Sequence, residues 1–301
     1  MLEVRSIETT MLEEDGSRAE AGYVETGRGA VFAVTHIPPG PAKAAVLICS
    51  PIQSELLKNN RREVMLARRL ARRGLAVSRF HYIGTGNSDG DIGDVTIDGM
   101  AADTAAVASA LTDVSGTDRI GFVATRLGSL PASTVASGLP GSPLALWEPV
   151  VSGRSYLREL MRVWLMVGMR QGNDEAPSVA DEIADQLART GSFAIMGFSI
   201  GGALKEDLER SDLKVEHPAD HDVLLVQFGQ RAGIRRELRA LAADLEERGG
   251  APTIEQVRFD EAWWLHVDVD ALTPDIELAM NTDVVDRTER WLRGVLGVED
   301  V

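Results

Sequence analysis

The sequence predicts an α/β fold: a mostly parallel sheet with helices on both faces and one inserted helical segment. Three observations predict it. Continuous apolar runs such as Ala44-Ala45-Val46-Leu47-Ile48-Cys49 and Leu144-Ala145-Leu146-Trp147 suit strands buried on both faces. Helical stretches separate these runs, the alternation that builds a parallel sheet with right-handed crossovers. The alternation breaks after Trp147 and resumes near Asp222, with Met- and Arg-rich helical segments between.

In chain order, Tyr23–Thr26 and Ala30–Val34 read as a hairpin around Gly27-Arg28-Gly29, closed off by Pro38-Pro39-Gly40-Pro41. The remainder of residues 1–43 alternates only loosely. Ala44–Cys49 is the first fully buried strand. Residues 60–73 form a helix with Val64, Leu66, Ala67, Leu70 and Ala71 on one face and arginines on the other. Leu75–Phe80 is a strand, followed by the glycine-rich loop Gly84–Gly90. A helix over Asp98–Leu111, a strand over Arg119–Ala124, a helix over Leu127–Ala136 and the strand Leu144–Trp147 continue the pattern. The insertion carries a polar break, Gln171–Pro177. Strand Asp222–Phe228, helix Gly233–Arg248, strand Thr253–Phe259, a Trp-rich loop and helix Val284–Leu296 complete the chain. The expected organisation is a core of residues 1–151 and 221–301 with a cap over 152–220.

The 301 residues are 44% apolar, enough for a large core. Lys and Arg minus Asp and Glu is 31 − 46 = −15, which argues against nucleic acid or an anionic membrane as partner. Cys49 is the only cysteine, so no internal disulfide forms, as suits a reducing compartment. Met1-Leu2-Glu3-Val4-Arg5 has no apolar signal core, and no apolar run reaches membrane-spanning length. The cytoplasm is the expected location.

Several blocks carry a family resemblance. They are Ser50-Pro51-Ile52-Gln53-Ser54-Glu55 with Lys58, Arg61 and Arg62; Arg79-Phe80-His81-Tyr82-Ile83-Gly84 through Asp91; Arg126-Leu127-Gly128; Trp147 through Gly153 with Tyr156-Leu157; Gly197-Phe198; and Ala262-Trp263-Trp264. Together they resemble the α/β-hydrolase superfamily, and within it the serine-aminopeptidase-like branch, closest to the exosortase A system-associated hydrolases. The resemblance covers most of the chain from about residue 30 and implies the α/β-hydrolase fold. It also implies a nucleophile after the fifth strand, an acid after the seventh and a histidine after the eighth. The first of these positions falls on Arg126. The second falls near Gly229-Gln230-Arg231, where there is no carboxylate, and the third leaves His266 as candidate.

A guanidinium is permanently protonated and cannot attack a carbonyl. At the start of a helix Arg126 would attract an anion, or it would be structural, paired with Glu148 or another carboxylate. A second serine-hydrolase pattern occurs later, G-x-S-x-G at Gly197-Phe198-Ser199-Ile200-Gly201, between a strand-like Phe193–Met196 and a helical Ala203–Arg210. Ser199 is therefore an alternative nucleophile, and a glycine-rich turn in the cap is the plainer reading. Thr125 carries a hydroxyl that should point into the fold. His266 is a candidate general base or a packing residue among tryptophans. Glu148 follows the sixth strand, as an acid or as a salt-bridge partner. Residues Ser50–Ser54, including Gln53, and the Leu127 N–H are where an oxyanion hole would form. Tyr156, Arg158, Arg162 and Trp164 belong to the cap, and the arginines could equally be a solvated face. His81 is read as structural, Cys49 as inert, and His217 with His221 as weak evidence for metal.

The expected function is that of a hydrolase-family protein with a degenerate triad and no ordinary serine-esterase turnover. It would bind an anionic or acyl/carbonyl metabolite in a cleft lined by Gln53, Arg126, Glu148 and His266, or run an acid–base step on it. One alternative is an active serine esterase or peptidase using Ser199 and His266. Another is a non-catalytic partner or scaffold in a biosynthetic pathway. Neither a cofactor nor a metal is expected. The expected partner is a small molecule, with a homodimer left open.

Overall fold

The computed structural model describes residues 5–170, 179–195, 198–230, 232–258 and 282–298. The elements in chain order begin with β1 (Arg5–Leu12), β2 (Arg18–Thr26), β3 (Gly29–Ile37), β4 (Ala44–Cys49) and α1 (Gln53–Arg72). Next come β5 (Leu75–Phe80), α2 (Ile97–Ser115), β6 (Ile120–Thr125), α3 (Ser129–Ser137) and β7 (Leu144–Trp147). Between β7 and the next sheet strand lie α4 (Gly153–Arg170), α5 (Val179–Thr190), β8 (Ser192–Ile195), β9 (Phe198–Gly201) and α6 (Gly202–Arg210). The chain then returns through β10 (Val223–Phe228), α7 (Arg236–Glu247), β11 (Thr253–Val257) and α8 (Asp283–Val295).

Nine strands form one sheet in the order β1-β2-β3-β5-β4-β6-β7-β10-β11. Pairing is antiparallel from β1 to β5 and parallel from β5 to β11. The apolar runs behave as two-sided strands. Ala45, Leu47 and Cys49 of β4 enter one core, while Ala44, Val46 and Ile48 enter the other. The first core is closed by Val107 and Leu111 of α2, Leu130 of α3 and Leu241 of α7. The second is closed by Leu66 and Leu70 of α1 and Val284 and Leu292 of α8. Each fully buried Leu or Val of this kind contributes about 1.5–3 kcal/mol relative to exposure. No helix among the described residues is long and apolar enough to cross a membrane.

Several elements differ from the sequence expectation: β2 begins earlier and β3 and α2 run longer than their patterns indicate, and four further differences stand out. Helix α1 starts at Gln53 rather than residue 60, because Glu55, Asn59 and Glu63 continue the buried stripe of Leu66 and Leu70 with polar groups. The amphipathic pattern therefore masks the first two turns. Strand β1 falls in the loosely alternating N-terminal stretch; it pairs through backbone on the sheet's edge, where side-chain alternation is weak. Helix α7 starts at Arg236 rather than Gly233. Buried Gln227 pins that entry as a turn, donating to the Gly233 carbonyl at 3.0 Å and accepting from the Arg235 N–H at 2.6 Å. Strand β11 ends at Val257, short of Phe259.

Candidate functional site at the carboxyl edge of the sheet

Open α/β sheets bind ligands beyond the carboxyl ends of their parallel strands. At that edge three non-glycine residues adopt left-handed backbone: Gln53 (φ 59°), Arg126 (φ 51°) and Glu148 (φ 47°). Such conformations cost roughly 1–2 kcal/mol for an L-residue and persist only where packing holds them. Arg126 tops β6 at the turn into α3. The start of α3 can approach β4 closely because residue 128 is glycine: a Cβ there would sit 2.3 Å from the Cys49 carbonyl oxygen.

Arg126 is 2% exposed. Its Nε donates to Glu55 Oε1 at 3.0 Å and its Nη2 to Glu159 Oε1 at 2.9 Å. The guanidinium carbon lies 5.2 Å from the centre of the Tyr156 ring, and the Tyr156 hydroxyl donates to Glu55 Oε2 at 3.1 Å. Core helix α1 (Glu55) and α4 of the insertion (Tyr156, Glu159) thus meet on one side chain. Burial pushes the Glu55 carboxyl toward its protonated form, with Arg126 opposing the shift. Burial works against the Arg126 charge, but attraction to Glu55 and Glu159 outweighs it and the guanidinium stays charged.

Of the partners expected for Arg126, Glu148 or another carboxylate, the hydrogen bonds go to other carboxylates, Glu55 and Glu159. Glu148, fully buried after β7, instead accepts from the Phe228 N–H and pairs with Arg235. Burial raises its carboxyl pKa against the pull of Arg235. Beneath Arg126, Thr125 points into the fold, where its Oγ1 accepts from Asn59 at 3.0 Å. Asn59 and Ser50 both donate to buried Glu63 at 2.6 Å. This network ties the loop after β4 and the end of β6 to the first turns of α1.

Gln53 sits at the start of α1, and its side-chain amide donates to the Ser199 carbonyl at 2.7 Å. Ser199 itself lies within β9, opposite Ala194 of β8 in an antiparallel hairpin. An elbow places its nucleophile in the turn between a parallel strand and a helix, whereas Ser199 stands in an antiparallel strand pair. Leu127 is buried in the single 3-10 turn after Arg126. Arg158 and Arg162 are exposed on α4, on its solvated side. Trp164 belongs to α4 as well. His266, Trp263 and Trp264 lie outside the described residues.

His221 is buried with Nδ1 3.0 Å from the Ser142 carbonyl, and His217 holds φ 52° one residue before Pro218. Among the described residues no group of three or more His, Cys, Asp and Glu could hold a metal ion. Glu55 and Glu159 are the site residues that sequence reasoning missed. The signal for Glu55 was its phase: with Asn59 and Glu63 it recurs every four residues in line with Leu66 and Leu70.

Counted from β2, the strand order is that of α/β hydrolases, with β6 the fifth strand and β1 an added edge. The fold is the α/β-hydrolase fold. Est1E from Butyrivibrio proteoclasticus, in a structure with ferulic acid bound, matches with TM-score 0.58 and 13% identity over 91% of this chain and 99% of its own. A serine hydrolase without lid from Xanthomonas campestris matches with TM-score 0.53 and 15% identity over 95% of this chain and 96% of its own. The proline iminopeptidase-related protein from Thermus thermophilus matches with TM-score 0.54 and 19% identity over 94% of this chain and all of its own. No protein-family model matches the sequence, and no curated protein matches it.

Proposed function

We propose that this α/β-hydrolase-fold protein has a degenerate triad and binds a small acyl- or carbonyl-bearing molecule at its carboxyl edge, without forming an acyl-enzyme at residue 126. The observation that carries this reading is the occupant of the elbow: a buried arginine in left-handed backbone, engaged by Glu55 and Glu159. It has no leaving proton at any physiological pH, so it cannot act as Ser or Cys would.

Electrostatics narrows the ligand. Two cations, Arg126 and Arg235, face three carboxylates, Glu55, Glu148 and Glu159. With two carboxylates already on Arg126, a neutral carbonyl suits this neighbourhood better than a free anion. In this reading residues 152–220 act as a cap over a core of 1–151 and 221–301, supported by the Tyr156, Glu159 and Ser199 contacts. Gln53 and the Leu127 N–H would orient the carbonyl oxygen, Tyr156 would wall the pocket, and His266 would serve any acid–base step beside Glu148.

The test is a generic ester assay together with a fluorophosphonate probe. The expected result is neither turnover nor labelling. A second reading, a serine esterase or peptidase using Ser199 with His266, is favoured by one observation: the Gln53 contact brings Ser199 to the loop that would cradle an oxyanion. Probe labelling that Ser199→Ala abolishes would establish that reading and end the first.

A further inference from the structure

We infer that the junction of α1 with the β3–β5 pair is a binding site for a small oxyanion, held by His36, Arg68 and Arg79. It shares no residue with the carboxyl-edge site and does not depend on the function proposed for it.

In the antiparallel β3–β5 pair, His36 lies opposite Val77 and Val34 opposite Arg79. His36 and Arg79 therefore project from the same face, the one that α1 covers through Leu66 and Leu70 against Leu75 and Val77. Arg68 reaches the same place from α1. Two buried nitrogens there, His36 Nε2 and Arg79 Nε, have no hydrogen-bond acceptor, and Arg68 Nε has only the Glu13 ion pair. Buried donors are nearly always satisfied, so two orphans beside a half-exposed guanidinium call for an acceptor with several lone pairs.

The neighbouring groups do not supply one. Arg79 Nη1 donates to the neutral Asn60 Oδ1 at 2.9 Å. Arg68 Nε lies 3.0 Å from Glu13 Oε1, near enough to attract it but not aligned as a hydrogen bond. Glu63 attracts Arg79 through space, but its oxygens accept from Ser50 and Asn59. The two guanidiniums thus face two carboxylates, Glu13 on Arg68 and the already hydrogen-bonded Glu63 near Arg79. Burial, then repulsion from Arg79 and Arg68, holds the His36 pKa down to about 4, so its imidazole is neutral and can donate one N–H. The Arg68 side chain, 41% exposed, marks the mouth. A tetrahedral or carboxylate oxyanion matches this donor set, because guanidinium forks favour oxygens carrying shared negative charge.

The experiment titrates the full chain with sodium phosphate, and separately with sodium acetate, against sodium chloride at equal ionic strength, following thermal midpoint and calorimetric heat. The expected result is a saturable stabilisation by phosphate, by acetate or by both, with the stronger arm naming the class. Arg79→Met should weaken affinity at least tenfold. Glu13→Gln should tighten it, because it removes the built-in competitor; a purely structural role for Glu13 predicts no such gain. Should Arg79→Met fail to fold, His36→Gln should weaken binding in its place. A response no different from chloride, or unchanged affinity in both Arg79→Met and Glu13→Gln, would overturn the inference.

Discussion

Replacing Arg126 with methionine keeps most of the aliphatic volume and deletes the charge. Arg126 and Glu55 are 2% and 3% exposed, so the change strands a carboxylate inside the protein. Breaking a buried pair from one side costs about 3–5 kcal/mol. The lost contact with the Tyr156 ring adds roughly 0.5–2 kcal/mol. Glu159, whose side chain is 30% exposed, can rehydrate and adds little. Protonation of Glu55 sets a ceiling, so a loss of about 4 kcal/mol at pH 7 is expected.

The pH dependence follows from the direction of the shift. The folded-state pKa of Glu55 already lies above the ordinary glutamate value, and without Arg126 it rises further. In that window the folded state holds more protons than the unfolded state, so stability falls as pH rises through it. The deficit of Arg126→Met should therefore be largest at neutral pH and above, and should shrink as pH drops toward about 4.3. Glu55→Gln on top of Arg126→Met should recover about 2 kcal/mol or more, since no charge is then left stranded. Urea unfolding at several pH values, with slopes compared, measures all three quantities. A loss below about 1 kcal/mol, a loss independent of pH, or no rescue by Glu55→Gln would refute the reasoning.

Two further outcomes follow from the same region. Gly128→Ala places a methyl 2.3 Å from the Cys49 carbonyl oxygen, so it should destabilise by about 1–3 kcal/mol or more in thermal or urea unfolding; a neutral result would mean that α3 is free to shift. Cys49 is fully buried and burial pushes its thiol pKa up, so it should resist a thiol-disulfide reagent in the native state and react on unfolding. Reaction at the native rate of an exposed thiol would contradict this burial.

The sheet was legible because two-sided burial leaves unbroken apolar runs: β4, β5, β6, β7 and β10 all lie where such runs stand. The turn at Arg126 was legible from strand order alone. The partners of Arg126 were not, because they come from helices remote in sequence, and a glutamate at a core phase of α1 reads as a solvated end until packing is seen. The G-x-S-x-G letters around Ser199 could not reveal their setting, because the antiparallel pairing of Ala194 with Ser199 depends on a strand partner rather than on the motif.

The three left-handed corners at Gln53, Arg126 and Glu148 have one more consequence. Each is a standing conformational debt of roughly 1–2 kcal/mol that surrounding atoms must keep enforcing, whatever side chain occupies the corner. Shape and side-chain contacts are therefore coupled at this rim: the groups carried by the bent main chain also hold neighbouring elements, Gln53 through Ser199, Arg126 through Glu55 and Glu148 through Phe228. Installing a new group at any corner means replacing the contact that it removes, and at Arg126 removing the Glu55 charge as well.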